Sequence, residues 1–197
     1  MTFRERIQAP PLLSVGMALS LFTRISDGLA YAHERNIYHR DLKPSNLFLC
    51  LDGSVRILDF GVGLAVEWSP LTATDQQMGT YAYMPPEVCR GKIVDPALGD
   101  IYGLGLVLYE VLIGKEIFLQ PLTQMTTMKM NAEAMDLGQG FPVELRELLL
   151  EATHPDPAKR LESMQGFADR VLELSLEYPP EPEDQLVPDS LRAEIIA

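Results

Sequence analysis

Apolar residues recur with helical spacing between positions 14 and 36: Ala18, Leu21, Ile25, Leu29 and Ala32 share one face, and Ser14 stands where an N-cap belongs. This predicts a helix from Ser14 to about Asn36 with its apolar stripe against a core. The period then changes. Leu47-Phe48-Leu49 and Val55-Arg56-Ile57-Leu58 are short β-type runs, and the Cys50–Ser54 link between them contains an Asp-Gly turn signal, so they predict a hairpin. From Gly99 to Ile113 the chain is apolar on nearly every side, which predicts a buried helix closed by Gly114. Two amphipathic helices follow. One starts at Pro142 with Leu145, Leu148, Leu149 and Ala152 on a face; the other runs from Ser163 to Leu174 with Met164, Phe167, Val171 and Leu174. Residues 121–136, rich in Met and Thr, predict a weakly specified helix whose methionines fill core gaps. The expected class is mainly α with small β-hairpins (α+β), built around a buried central helix.

At 197 residues the chain is long enough for one domain with a real core. A formal charge of −12 argues against nucleic acid as the main partner, because phosphate backbones need clustered Lys and Arg. Cys50 and Cys89 have neither disulfide-framework nor metal-ligand spacing and read as reduced thiols. Arg4 and Arg6 before the apolar run 12–22 have the outline of a secretory leader. The helical period continues straight on through Ile25, Leu29 and Ala32, so the run reads as the first helix instead. The expectation is a cytoplasmic chain without a membrane segment. It divides into a linker and short helix (1–13), a domain (14–175) and a Pro-rich, acidic, flexible tail (176–197).

Three motifs carry chemistry. They are His39-Arg40-Asp41-Leu42-Lys43-Pro44-Ser45-Asn46, then Asp59-Phe60-Gly61, then Gly79-Thr80-Tyr81-Ala82-Tyr83-Met84-Pro85-Pro86-Glu87. A lone D-F-G would mean little, but an eight-residue match followed in order by the other two is specific. Together they resemble the catalytic loop, metal turn and segment end of the eukaryotic-type protein kinases, in the serine/threonine branch. The resemblance covers roughly residues 1–175, and its wording is nearest the bacterial members.

The resemblance implies a protein-kinase-like fold, specifically the helical C-lobe, and transfer of the ATP γ-phosphoryl to a Ser or Thr hydroxyl of a protein. Such transfer needs an oriented hydroxyl and neutralised phosphate charge rather than covalent work by the enzyme. Asp41 would accept the hydroxyl proton, and Lys43 would steady the transferring phosphate. Asn46 and Asp59 would ligate Mg2+, a hard cation that takes oxygen donors. Leu47 and Phe48 would lie beneath the adenine, and Thr80 would set a hydroxyl against Asp41 and Lys43. Supporting roles fall to His39, Phe60 and Gly61, to Asp100 as acceptor for the catalytic-loop backbone, and to a buried Glu87–Arg160 pair. Residues 62–80 would form the activation segment. Ser69, Thr72 and Thr74 are its candidate phosphosites, and Arg40 is the residue that would pair with such a phosphate. Pro85 replaces the family's usual Ala.

No G-x-G-x-x-G-x-V loop and no V-A-I-K lysine occur in these 197 residues. The parts that clamp ATP phosphates in the family are therefore expected elsewhere, on an upstream small lobe or a covering partner. Without them the isolated chain is expected to hold ATP poorly. The sequence is compatible with three readings: the catalytic lobe of a serine/threonine kinase, a lobe-only remnant that binds a partner without catalysis, and a different enzyme sharing the fold.

Overall fold

The computed structural model describes residues 1–60, 81–92, 95–117, 124, 127, 129, 135–182 and 184. Helix α1 (Phe3–Gln8) opens on a capping box: the Thr2 hydroxyl accepts from the Glu5 N–H, and the Glu5 carboxylate accepts from the Thr2 N–H. The Phe3 ring meets Phe22 edge-on at 6.0 Å between centroids. Arg6 is buried, with its guanidinium donating to the carbonyls of Ala9 and Pro11 at 2.9 Å each. That side chain organises the turn into α2.

Helix α2 (Val15–His33) lies where the apolar period predicts it, with the Ser14 hydroxyl accepting from the Met17 N–H at 3.1 Å. The hairpin is also where expected: β1 (Leu47–Leu49) pairs antiparallel with β2 (Val55–Ile57), Leu47 opposite Ile57 and Leu49 opposite Val55. On the other edge of β1 the Leu49 N–H donates to the Met1 carbonyl at 2.8 Å, and the Met1 nitrogen donates to the Leu49 carbonyl at 3.0 Å. Thr2 bridges Phe48 in the same antiparallel sense. The first residues thus cover an edge that would otherwise present unpaired backbone groups.

Short helix α3 (Pro86–Cys89) precedes the central helix α4 (Pro96–Ile113). Helix α4 begins three residues before Gly99 because Asp95 caps it through the Ala97 N–H at 2.9 Å and Pro96 takes the first helical position. It ends at Gly114, which adopts a left-handed φ of 67°. Among the described residues α4 alone is long and apolar enough to cross a membrane, and 67% of it is buried inside the molecule, as befits a core helix. Gly103 brings the helix against the loop at 42: a Cβ there would sit 3.2 Å from both Cβ and the carbonyl oxygen of Leu42.

Helix α5 (Val143–Ala152) buries Leu145, Leu148, Leu149 and Ala152 as its period predicts, and α6 (Met164–Glu177) lies along α2. The core runs continuously from Phe3 and Phe22 through Leu104 and Val107 to Phe167 and Val171. Helix α6 extends three residues past Leu174. The chain then crosses the first turn of α2, where a Cβ on Gly16 would collide with the Pro179 carbonyl. Asp184 accepts from the Ser14 hydroxyl at 2.6 Å. This start of the acidic tail is packed; residues 183 and 185–197 lie outside the described residues, as does most of the weak helix expected over 121–136.

Candidate active site

Asp100, on the first turns of α4, is 1% exposed and collects three donors. Its Oδ2 accepts from the His39 N–H at 2.8 Å, its Oδ1 from the Arg40 N–H at 2.7 Å, and the His33 Nε2 lies 2.9 Å from Oδ2. A carboxylate buried in an apolar helix requires this compensation. Arg40 takes a left-handed φ of 65°, so that successive N–H groups turn toward one anion. The Arg40 side chain itself is exposed.

His39 is fully buried. Its Nδ1 accepts from the Asp41 N–H at 3.2 Å, which leaves the proton on Nε2, and Nε2 donates to the Leu58 carbonyl at 2.7 Å. The Leu58 N–H donates in turn to the Asn46 carbonyl at 2.9 Å. Leu58 is therefore held on both sides by the loop at 39–46, and this fixes the start of the turn that carries Asp59. The His39 and Phe60 rings pack at 4.9 Å between centroids.

Lys43 Nζ stands 2.7 Å from Asp41 Oδ2, both side chains partly exposed. Asn46 donates its Nδ2 to the Asp41 carbonyl at 2.8 Å and to Asp41 Oδ2 at 3.2 Å. The carboxylate is thus aimed by one ammonium and one amide, and the amide nitrogen of Asn46 is committed. Its Oδ1 is left to accept. Asp59, at a φ of 59°, is exposed and forms no ion pair among the described residues. One amide oxygen and one open carboxylate suit a magnesium ion that takes its other oxygens from phosphates and water. Among the described residues no group of three or more His, Cys, Asp or Glu is placed to hold a metal without such help.

The strand residues divide by face. Leu47 is fully buried and belongs to the core; Phe48, on the opposite face, is half-buried. Alternation along the strand turns Leu47 toward the core and Phe48 toward the other face, so of the two residues expected beneath an adenine Phe48 is the more accessible. At the far end, Arg160 makes a bidentate pair with Glu87 at 2.6 and 2.7 Å, donates Nε to the His154 carbonyl at 2.7 Å and lies 4.8 Å from the Tyr102 ring centroid. Gly61, Ser69, Thr72, Thr74 and Thr80 lie outside the described residues.

Three further groups support the site, and the sequence carries a signal for only one of them. His33 closes α2 and reads as an ordinary last-turn residue until the fold sets it on Asp100. Glu110 accepts from the Tyr83 hydroxyl at 2.6 Å and from the Ile117 N–H at 2.9 Å, and burial pushes its carboxyl up to about 7. Its signal was available, since a second acid in an otherwise apolar helix needs a partner. Burial likewise pushes the Tyr83 hydroxyl up. Lys129, fully buried, donates to the Met84 carbonyl at 2.6 Å.

Residues 2–172 match the family model described as the protein kinase domain. The chain is 37% identical over 160 residues to the serine/threonine-protein kinase PknA of Mycobacterium tuberculosis, covering 81% of this chain and 37% of that protein. It is 32% identical over 171 residues to the serine/threonine-protein kinase PrkC of Bacillus subtilis, covering 85% of this chain and 26% of the relative. It is 33% identical over 168 residues to a serine/threonine-protein kinase PknA of Corynebacterium glutamicum, covering 84% and 36% respectively. The chain thus spans about a third of the length of these curated relatives.

Proposed function

The chain belongs to the protein kinase family, and from that premise we propose that it supplies the catalytic and substrate-holding lobe of a serine/threonine protein kinase working in the cytoplasm on protein substrates. The observation that carries this reading is the Asp41–Lys43–Asn46 constellation, in which an ammonium and an amide orient a single carboxylate.

Asp41 accepts the proton of a Ser or Thr hydroxyl as its oxygen bonds to the γ-phosphorus of ATP; the bond to the ADP oxygen breaks, and ADP leaves with that electron pair. Lys43, beside Asp41, offsets charge on the transferring group while keeping the carboxylate in place. Asn46 and Asp59 would hold Mg2+, which when bound neutralises phosphate charge. His39 and Asp100 act one step back: they fix the backbone from which Asp41 projects and the strand end that leads to Asp59. Phe48 offers an apolar surface beneath the adenine ring. The family resemblance would give Thr80 a role beside Asp41 and Lys43, and would make exposed Arg40 the partner of a phosphate on Ser69, Thr72 or Thr74.

Phe60 and Leu58 are 37% and 41% exposed beside the His39–Leu58 junction. This apolar margin supports a covering small lobe or separate partner that brings the phosphate-clamping loop. The test is phosphoryl transfer by the full-length protein from Mg2+ and radiolabelled ATP to a generic Ser/Thr peptide. Asp41→Asn should lower kcat by about 10²–10⁴-fold with little change in the KM for ATP. Wild-type transfer no faster than the Asp41→Asn background would reject catalysis.

A further inference from the structure

Burying a lysine fully is costly, so what holds its ammonium is informative. Lys129 is 0% exposed. Its Nζ donates to the Met84 carbonyl at 2.6 Å and lies 5.2 Å from the Tyr102 ring centroid, a ring that the Arg160 guanidinium also approaches at 4.8 Å. Among the described residues the ionisable groups within electrostatic reach include Cys89, Glu87, Glu110 and Arg160. Two of these are already engaged: Glu87 by Arg160, and Glu110 by Tyr83 and the Ile117 N–H.

Two consecutive residues of the 81–84 segment are thereby pinned from different parts of the fold. The Tyr83 hydroxyl is held on the central helix by Glu110, and the Met84 carbonyl is held by Lys129. The two pins differ in kind. Glu110 grips the end of a side chain, whereas Lys129 grips the backbone itself and so determines where the next carbonyl and N–H stand. We propose that Lys129 is a positioning residue, whose ammonium sets the Tyr83–Met84 backbone in the arrangement that receives a protein substrate. The proposal rests on the kinase reading for the role of residues 81–84.

Its charge is poised to matter. Burial pushes the Lys129 ammonium down to about 7, with nearby Cys89, Glu87 and Glu110 working against that shift and Arg160 adding to it. The hold on Met84 is then strongest below neutral pH, where Lys129 is charged, and weakens as the proton is lost above it. A charge-assisted bond becomes a neutral amine contact.

The experiment compares the full-length wild-type protein with Lys129→Met and Lys129→Arg from pH 6 to 8. Amide exchange over residues 81–90 is followed by mass spectrometry and corrected for intrinsic rates. Steady-state KM is measured for a Ser/Thr peptide and, separately, for ATP. Lys129→Met should raise exchange at 81–90 and the peptide KM by about tenfold, leaving the KM for ATP unchanged. Its peptide KM should be high at every pH. Lys129→Arg should keep the peptide KM low across the range, and the wild type should move from the Arg-like to the Met-like value as pH rises. Glu110→Gln serves as a control: the pH step must persist in it. Unchanged exchange and unchanged peptide KM in Lys129→Met, or a pH step that survives in that variant, would overturn the proposal. A wild-type protein inactive on every peptide would sink the kinase reading, while the exchange measurement still decides whether Lys129 places the segment.

Discussion

Glu87 and Arg160, 73 residues apart, meet as a buried bidentate pair whose two hydrogen bonds measure 2.6 and 2.7 Å. The pair locks the end of the 81–87 segment to the loop that precedes α6, and no solvent is available to take over if one partner is removed. Arg160→Met should therefore destabilise the fold by about 3–5 kcal/mol, because Glu87 is left as an uncompensated charge. The double variant with Glu87→Gln should lose clearly less than the sum of the two singles, as expected for groups in direct contact. Urea unfolding of the four proteins checks this; simple additivity would mean that the pair contributes nothing as a pair.

Asp100 deals with three donors at once, and an amide cannot replace it. In Asp100→Asn one oxygen becomes an NH2 group facing an N–H of residue 39 or 40, so a buried donor is stranded at a cost of about 1–3 kcal/mol. Exchange protection at the His39 and Arg40 amides should fall more than at the α2–α6 core. Amide exchange by NMR separates the two. Equal loss everywhere would indicate general destabilisation rather than release of the loop.

Glu110 makes stability depend on pH with a defined sign. Its carboxyl rises from an ordinary 4.5 to about 7 in the folded protein. The stabilisation it contributes is fully present below 4.5 and is lost as pH climbs through 7. The raised value corresponds to roughly 3 kcal/mol across that window. Glu110→Gln keeps an acceptor for the Tyr83 hydroxyl and removes the ionisation, so its stability should change less between pH 4.5 and 8 than that of the wild type. Denaturant midpoints at several pH values settle the matter; parallel curves for the two proteins would contradict it.

Asp59 offers the more open of the two oxygen ligands proposed for magnesium. Chelation with EDTA should abolish transfer, and added Mg2+ should restore it. Asp59→Asn should raise the Mg2+ concentration needed for half-maximal rate by about tenfold or more, since a charged ligand is replaced by a neutral one. A magnesium titration of transfer rate distinguishes this from a folding defect, which lowers the plateau without moving the midpoint.

The parts read correctly from sequence share a physical character. Helix α2, the hairpin, α4, α5 and α6 declare themselves through local periodicity, a cap or a turn residue, and each such signal acts within a few residues. The bounds that moved did so for equally local reasons: Asp95 and Pro96 start α4 early, and Thr2 and Glu5 form a capping box that opens α1. Leu47 shows the limit. Its type suits core and nucleotide floor alike, and only the pairing of β1 with β2 and with Met1–Thr2 decides which face it occupies.

By itself, the order of residues determined the set proposed to react, because Asp41, Lys43 and Asn46 lie within six positions and their side chains meet through the turn of one short loop. It determined the buried character of α4 as well, since a helix apolar on all sides has nowhere else to go. Only the tertiary structure decided what stands behind that set: His33 on Asp100, His39 on Leu58, Glu110 on Tyr83, Lys129 on Met84. These contacts join residues 19 to 67 positions apart. No local pattern encodes them; each buried polar group finds its partner only when packing carries the helices together and removes the water that would otherwise have satisfied it.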